Sequence, residues 1–278
     1  MPVSASPFVV SSIVTTLRAA GCVFAEDEAE LILSAAADHT DLARMVERRA
    51  SGLPLEHVLG WAEFGGLRIA VDPGVFVPRR RTEFLVRQAA ALAGHGAVVV
   101  DLCCGSGALG AALAAGLDRI ELHAADVDPA AVRCARRNVG ETGLVHQGDL
   151  FEPLPVDLCG RVEILLANVP YVPTQEVELL PAEARIHEPR VALDGGRDGL
   201  DVLRRVCARA PRWLAPGGHL LVETSERQAA RAEETVARSG LIPRVVTSDE
   251  LCATVVVATR PGPAGSVARR TGPADPIG

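Results

Sequence analysis

Asn168-Val169-Pro170-Tyr171 follows an apolar stretch, Val162-Glu163-Ile164-Leu165-Leu166-Ala167, and sets an amide, a stiff turn and an aromatic ring side by side. The side-chain carbonyl of Asn168 can accept one N–H of a planar nitrogen, and the backbone carbonyl of Val169 can accept a second. Pro170 fixes its own φ. Tyr171 offers a face against which a flat group can lie. The set suits methylation of a planar amino or amide nitrogen. Standing alone, the same four residues read equally well as an ordinary strand-to-loop turn.

A second loop lies upstream. Val98-Val99-Val100-Asp101-Leu102-Cys103-Cys104-Gly105-Ser106-Gly107-Ala108-Leu109-Gly110 runs from a β-branched strand through a carboxylate and small residues into an Ala/Leu-rich helix, Ala108 to Ala115. A strand–Gly loop–helix unit lets a ligand approach the backbone at the carboxyl end of a parallel strand. The spacing Gly105-x-Gly107-x-x-Gly110 also fits the dinucleotide fingerprint, in which a helix N-terminus meets pyrophosphate. Asp101 and the small residues around it fit S-adenosylmethionine better, because that molecule has no phosphate and carries an ammonium and a sulfonium.

More carboxylates follow. Glu121-Leu122-His123-Ala124-Ala125-Asp126 reads as the next strand, and an acid at its end can hold both ribose hydroxyls. Dinucleotide enzymes share that feature, so Asp126 alone does not discriminate. Asp128 and Pro129 read as the N-cap and first position of a helix running to about Asn138. A third strand tip is expected at His146-Gln147-Gly148-Asp149-Leu150, where Asp149 could meet an adenine amino group or could simply cap a turn.

With these residues in place the chain resembles the protein-(glutamine-N5) methyltransferases that modify peptide-chain release factors, a family of class I S-adenosylmethionine-dependent methyltransferases. The resemblance spans roughly residues 50 to 258. It includes Pro54 to Gly60, Glu63 to Leu67, Val71 to Arg79, Thr82-Glu83, the glycine loop, Asp126, Asp149 and the Asn168 turn, then His187 to Leu193 and Gly195-Gly196-x-x-Gly199-Leu200. It implies cofactor contact for Asp101, Cys103, Cys104, Gly105, Ser106, Gly107, Asp126, Asp149, Leu150 and Asn168. It implies acceptor contact for Asn168, Val169, Pro170 and Tyr171, and no metal. The product would be S-adenosylhomocysteine, and the acceptor the Gly-Gly-Gln glutamine of a release factor.

Three departures stand out. Val169 replaces the family's first proline, which frees φ and restores an N–H but keeps the carbonyl. Cys103 stands where the glycine loop usually begins with Gly. Arg79-Arg80-Arg81 replaces a segment that normally carries a Pro and an acid, and it reads as a solvated or acid-partnered helix start.

An amide nitrogen is a poor nucleophile because its lone pair is shared with the carbonyl. Accepting both of its N–H bonds at Asn168 and Val169 would orient it, so that catalysis is chiefly positioning and electrostatics. No general base is required, since the alkylated nitrogen is very acidic. Glu188 is read either as an orienting group for the acceptor loop or as a structural carboxylate. An adenine amino group in nucleic acid, or a planar nitrogen of a small molecule, is the alternative acceptor, because it poses the same geometric problem. A scaffold that has lost its chemistry would have no need of Asp101, Asp126, Asn168 and Tyr171 together. An NAD-dependent oxidoreductase would use the glycine loop but not the Asn168 turn.

Composition narrows the setting. A formal net charge of −7 argues against a general phosphate-binding surface and so against nucleic acid as partner. No run of about 18 apolar residues exists, and the start of the chain lacks the pattern of a signal peptide. Seven scattered cysteines suggest free thiols in a reducing compartment, and a cytoplasmic location is expected. Cys103 and Cys104 are adjacent, a poor geometry for zinc.

The fold class expected is α/β, a doubly wound and mostly parallel sheet. Helical periodicity marks Phe8 to Ala20, Asp27 to Asp38 and Leu42 to Ala50. Residues 1–51 thus read as a small helical domain suited to a protein substrate, 52–77 as a β-hairpin linker and 78–260 as the methyltransferase domain. Gly217 to Glu223 reads as the fifth strand and Val255 to Ala258 as a late antiparallel one. Pro, Gly and Arg dominate 261–278, where a disordered tail is expected.

Overall fold

The computed structural model describes residues 6–262, so the expected tail falls almost wholly outside the described residues. The chain begins with helices α1 (Pro7–Ala19), α2 (Ala25–Ala35) and α3 (His39–Ala50). Their apolar faces meet around Ile13, Leu17, Ala29, Ile32, Leu42 and Met45. The third helix starts earlier than its apolar period suggested, because Asp38 caps it by accepting the Asp41 amide at 2.8 Å. A further short helix, α4 (Leu55–Leu59), ends at Gly60 with φ +80°; the sequence showed only a hairpin in this region.

That hairpin is β1 (Trp61–Phe64) and β2 (Leu67–Ala70), turned by Gly65 and Gly66, both with positive φ. Glycine is the residue that reaches such angles at both central positions of a two-residue turn. Phe64 and Ile69 are buried in the same apolar cluster as Val99, Leu109 and Leu113. The hairpin therefore packs into the layer that covers one face of the central sheet.

The remaining elements alternate: α5 (Glu83–Ala90), β3 (Val98–Leu102), α6 (Ala108–Gly116), β4 (Glu121–Asp126), α7 (Pro129–Val139), β5 (Gly143–Gln147), β6 (Val162–Ala167), α8 (Ala182–His187), α9 (Arg190–Leu193), α10 (Asp201–Trp213), β7 (Leu214–Thr224), α11 (Ala229–Ala237), β8 (Ile242–Ser248) and β9 (Ala253–Thr259). The seven-stranded sheet has the order β5-β4-β3-β6-β7-β9-β8. All neighbours through β7 are parallel, and β9 runs antiparallel to both β7 and β8. This is the doubly wound α/β sheet expected from the alternation of elements. Every residue of β3 is buried, as a strand covered on both faces requires.

Strand order explains how two distant loops meet. The chain winds outward from β3 through β4 to β5 on one side and from β6 to β7 on the other, so the order reverses between β3 and β6. In open α/β sheets the crevice at such a switch point, beyond the carboxyl ends of the strands, is where ligands bind. The pairing Leu102↔Ala167 sets the residues after β3 beside the residues after β6. Cys103 and Asn168 are thereby neighbours at one end of the sheet.

Two details depart from the sequence reading. β5 stops at Gln147, and Gly148 to Leu150 form a turn in which Leu150 has φ +51°. β8 was not expected at all. It is an edge strand with Pro243 near its start, a position where a missing ladder N–H is tolerated.

Candidate active site

A cavity of about 660 Å³ opens at the carboxyl ends of β3, β4 and β6. Cys103, Cys104, Gly105, Ser106, Asp126, Asp149, Leu150, Asn168, Val169, Pro170 and Tyr171 all line it. Asp101 and Gly107, expected among the cofactor contacts, do not; both lie behind the wall and shape it.

The glycine loop is built from tight angles. Cys103, Gly105 and Gly107 have φ of +55°, +55° and +78°. Gly105 needs no room for a side chain, and its amide donates to the Asp126 carboxylate at 2.8 Å. The other Asp126 oxygen accepts the Asp128 amide at 2.9 Å. Asp126 thus braces the loop while facing the cavity. A Cβ on Gly107 would sit 3.0 Å from that of Ala135, so this glycine lets α6 approach α7. Gly110 plays the same part against Leu122 of β4, where a Cβ would meet the side chain at 3.2 Å. Asn138 on α7 ties the hairpin to the loop, donating to the carbonyls of Ala70 and Ser106 at 2.8 Å each.

Asp101 is fully buried. One of its oxygens accepts the Gly110 amide at 3.1 Å, and the other has no partner. Burial pushes its carboxyl up to about 7, the Gly110 amide pulls it down, and the nearby Asp126 charge pushes it up again. Burial likewise raises Asp126. A wall that holds carboxylates against their preference is a wall suited to a cation. Burial, with Asp126 and Asp101 close by, pushes the Cys103 and Cys104 thiols up as well, so both stay protonated and neither is poised as a nucleophile.

The sign of the Asp101 shift makes a pH prediction. The folded protein holds this proton to about pH 7, whereas the unfolded chain releases it near 4. Between those values the native state binds more protons, so stability falls as pH rises, by at most about 1.4 kcal/mol per pH unit. Urea unfolding of the wild type and of Asp101→Asn between pH 4 and 8 should show the wild-type decline lessened in the variant. Equal slopes in the two proteins would contradict this assignment.

Asp149 lines the cavity but is not free, because its carboxylate pairs with Arg205 of α10. Nothing in the local sequence around Arg205 pointed to this partner.

The Asn168–Tyr171 turn is held from behind. Val169 is buried, with its side chain in the cluster under the sheet. Among the described residues no backbone amide donates to its carbonyl. Asn168 is half-buried on the cavity wall. The amide of Val172 donates to Leu193 at 3.1 Å and that of Gly195 to Val172 at 2.8 Å, so the segment from Arg190 to Gly199 runs as a rail beside the turn. Gln228 donates to the Tyr171 carbonyl at 2.9 Å. The Tyr171 hydroxyl lies 2.8 Å from Arg81 and 3.4 Å from Glu223.

Gly195 lies tight against the backbone of the turn. A Cβ there would lie 2.6 Å from the Pro170 carbonyl and 2.8 Å from the Tyr171 Cα. Both obstacles are backbone, so the turn itself must shift. Displacements of this size in a positioning element can cost about 10²-fold in rate. Gly195→Ala is accordingly expected to cut turnover by about that factor while leaving cofactor affinity unchanged in calorimetry. A variant of wild-type rate would remove the rail from the account.

Two residues of the basic run, Arg79 and Arg81, are partnered by acids, as one reading of it anticipated. Arg79 donates to both oxygens of Glu188 at 2.6 and 2.7 Å, and Glu188 also accepts the Val77 amide at 3.1 Å. Burial pushes Glu188 up and Arg79 pulls it down. Glu188 therefore fastens the extended segment at Val77–Arg79 to the residues before α9. Among the described residues no helix is long and apolar enough to cross a membrane.

Comparison with known proteins shows what the chain is similar to. The family model for the methyltransferase small domain matches residues 66–198. The release factor glutamine methyltransferase of Geobacter sulfurreducens is 41% identical over 199 residues, covering 70% of this chain and 69% of that one. That of Streptomyces coelicolor is 41% identical over 192 residues, covering 67% and 68%. Among solved structures, a methyltransferase from Pyrococcus furiosus superposes with a TM-score of 0.54 at 16% identity, over 80% of this chain and 98% of that one, which shows a shared fold.

Proposed function

The chain belongs to the release factor glutamine methyltransferase family, and from that premise we propose how its residues carry out S-adenosylmethionine-dependent methylation of a release-factor glutamine. The observation that carries the reading is the meeting, in one cavity, of the Asp126-braced glycine loop with the Asn168–Tyr171 turn.

The cofactor half fits S-adenosylmethionine. Asp126 offers acceptor oxygens for the ribose hydroxyls, the small residues at Gly105 and Ser106 permit close approach, and Asp149 with Leu150 borders the place of the base. Asp126, whose charge burial disfavours, gains from a cation close by, and Asp101 lies buried behind the loop with one unpartnered oxygen. When bound, the cofactor supplies an electrophilic methyl group.

On the other half, the Asn168 side-chain carbonyl accepts one N–H of the glutamine amide and the Val169 backbone carbonyl accepts the other. The nitrogen is thereby turned toward the cofactor half, and pyramidal geometry is favoured as attack begins. Tyr171 walls the planar group. Once the nitrogen is alkylated its proton is acidic and leaves to solvent, so none of these residues has to act as a base. The helices α1–α3 form their own apolar cluster, and we assign residues 1–51 to substrate contact, the hairpin region 52–77 to joining, and 78–260 to catalysis.

The test is transfer of label. With labelled cofactor and full-length release factor, the label is expected on the release factor, and its Gly-Gly-Gln glutamine variant should take up none. Label on tRNA or DNA with a bare release factor would move the acceptor to an adenine amino group.

A further inference from the structure

We propose that Arg81 and Glu223 form a clamp on the Tyr171 hydroxyl that positions the acceptor turn, making Arg81 a positioning residue for the acceptor and not for the cofactor. The inference rests on the glutamine-methylation reading above.

Three segments far apart in the chain converge on one oxygen. Arg81 comes from the turn at Arg80–Thr82 that leads into α5, Tyr171 from the end of the acceptor turn, and Glu223 from the last residues of β7. Arg81 Nε donates to Glu223 Oε1 at 2.9 Å, its Nη2 donates to the Tyr171 hydroxyl at 2.8 Å, and that hydroxyl lies 3.4 Å from the same Glu223 oxygen. The triangle is closed.

Its chemistry is asymmetric. The Glu223 side chain is 3% exposed and its second oxygen is unpartnered. A carboxylate in that position depends on its cation, because a buried charge stripped of its partner is strongly unfavourable. Arg81 therefore stays beside Glu223 and presents its remaining N–H groups to Tyr171. Burial and Glu223 push the Tyr171 hydroxyl up while Arg81 pulls it down, so it is a neutral phenol near pH 7 that accepts from Arg81 and faces the carboxylate with its proton.

The clamp acts where rigidity is needed. Pro170 has a fixed φ and Val169 does not. Gln228 holds the Tyr171 carbonyl and the clamp holds its hydroxyl, so this residue is pinned at both ends of its length. With Tyr171 pinned, the turn before it has a fixed end against which Asn168 is oriented. Asp126 and Asp149, on the cofactor side, have no part in this network.

The experiment is a double-mutant cycle with Tyr171→Phe and Arg81→Ala, read as KM for release factor, KM for S-adenosylmethionine and kcat. Wild-type transfer to release factor is the control for the underlying reading. Each single variant is expected to raise the acceptor KM about tenfold, to leave the cofactor KM unchanged, and to add nothing further when combined. Arg81→Lys should recover part of the loss. An Arg81→Ala effect that persists in full in the Tyr171→Phe background would overturn the clamp, as would an equal rise in both KM values. Because Tyr171 is the single tyrosine in the chain, fluorotyrosine labelling gives one ¹⁹F resonance. It should shift in Arg81→Ala and in Glu223→Gln; a resonance unmoved by both substitutions would overturn the proposal independently of turnover.

Discussion

Asn168→Ala is expected to cut methyl transfer by about 10³-fold while S-adenosylmethionine binds with nearly wild-type affinity. The magnitude follows from removing one preorganised hydrogen-bonding group aimed at the reacting atom, which costs 10² to 10³ in comparable sites, together with lost orientation. The split between rate and affinity follows from place. Asn168 follows the end of β6, two strands away from Asp126 at the end of β4. Among the described residues its side chain makes no hydrogen bond to the rest of the protein, so the substitution should not disturb the fold. Single-turnover transfer and calorimetry check the two halves separately. Near-normal transfer by the variant would mean that the amide nitrogen is not held there.

Asp126→Ala is expected to do the reverse, abolishing cofactor binding at accessible concentrations while the acceptor turn stays intact. Two losses combine. The carboxylate that would meet the ribose hydroxyls is gone, and the amides of Gly105 and Asp128 lose the acceptors they now have at 2.8 and 2.9 Å. Hydrogen bonds to a charged group contribute roughly 1.5–3 kcal/mol each, so affinity should fall by about 10³-fold or more. Asp126→Asn keeps one acceptor oxygen and should fall between the two. Calorimetric titration of the cofactor into each variant is the measurement. Wild-type affinity in Asp126→Ala would move the ribose away from the end of β4.

Much of this site was legible in the chain because polar residues end its apolar runs. β4 and β6 have the limits that Asp126 and Asn168 suggested, since a buried parallel strand gives up its apolar character where it emerges. The loop after β3 was legible for the same reason. Asp101 was read as a contact because the sequence shows an acid at a strand end but not the wall in front of it. Burial decides that, and burial depends on where Gly107 lets α6 settle. β8 escaped because Pro243 breaks its β pattern and because an edge strand needs no continuous apolar run.

The residues that steady the site were the least legible. Arg81 and Glu223 are 142 positions apart, Gln228 and Tyr171 are 57, and Arg205 and Asp149 are 56. Each pair is made by strand order, and no local pattern announces it. Glu223, an acid at the end of an apolar strand like Asp101 and Asp126, carried the one signal that could have been read.

The most direct measurement is to locate the methyl group. Release factor incubated with this protein and S-adenosylmethionine, then digested and sequenced by tandem mass spectrometry, should carry one methyl on the side-chain amide nitrogen of the Gly-Gly-Gln glutamine, and none when Asn168→Ala is used. A methyl group on any other residue, or an unmodified release factor beside a methylated adenine, would contradict the assignment of the Asn168–Tyr171 turn.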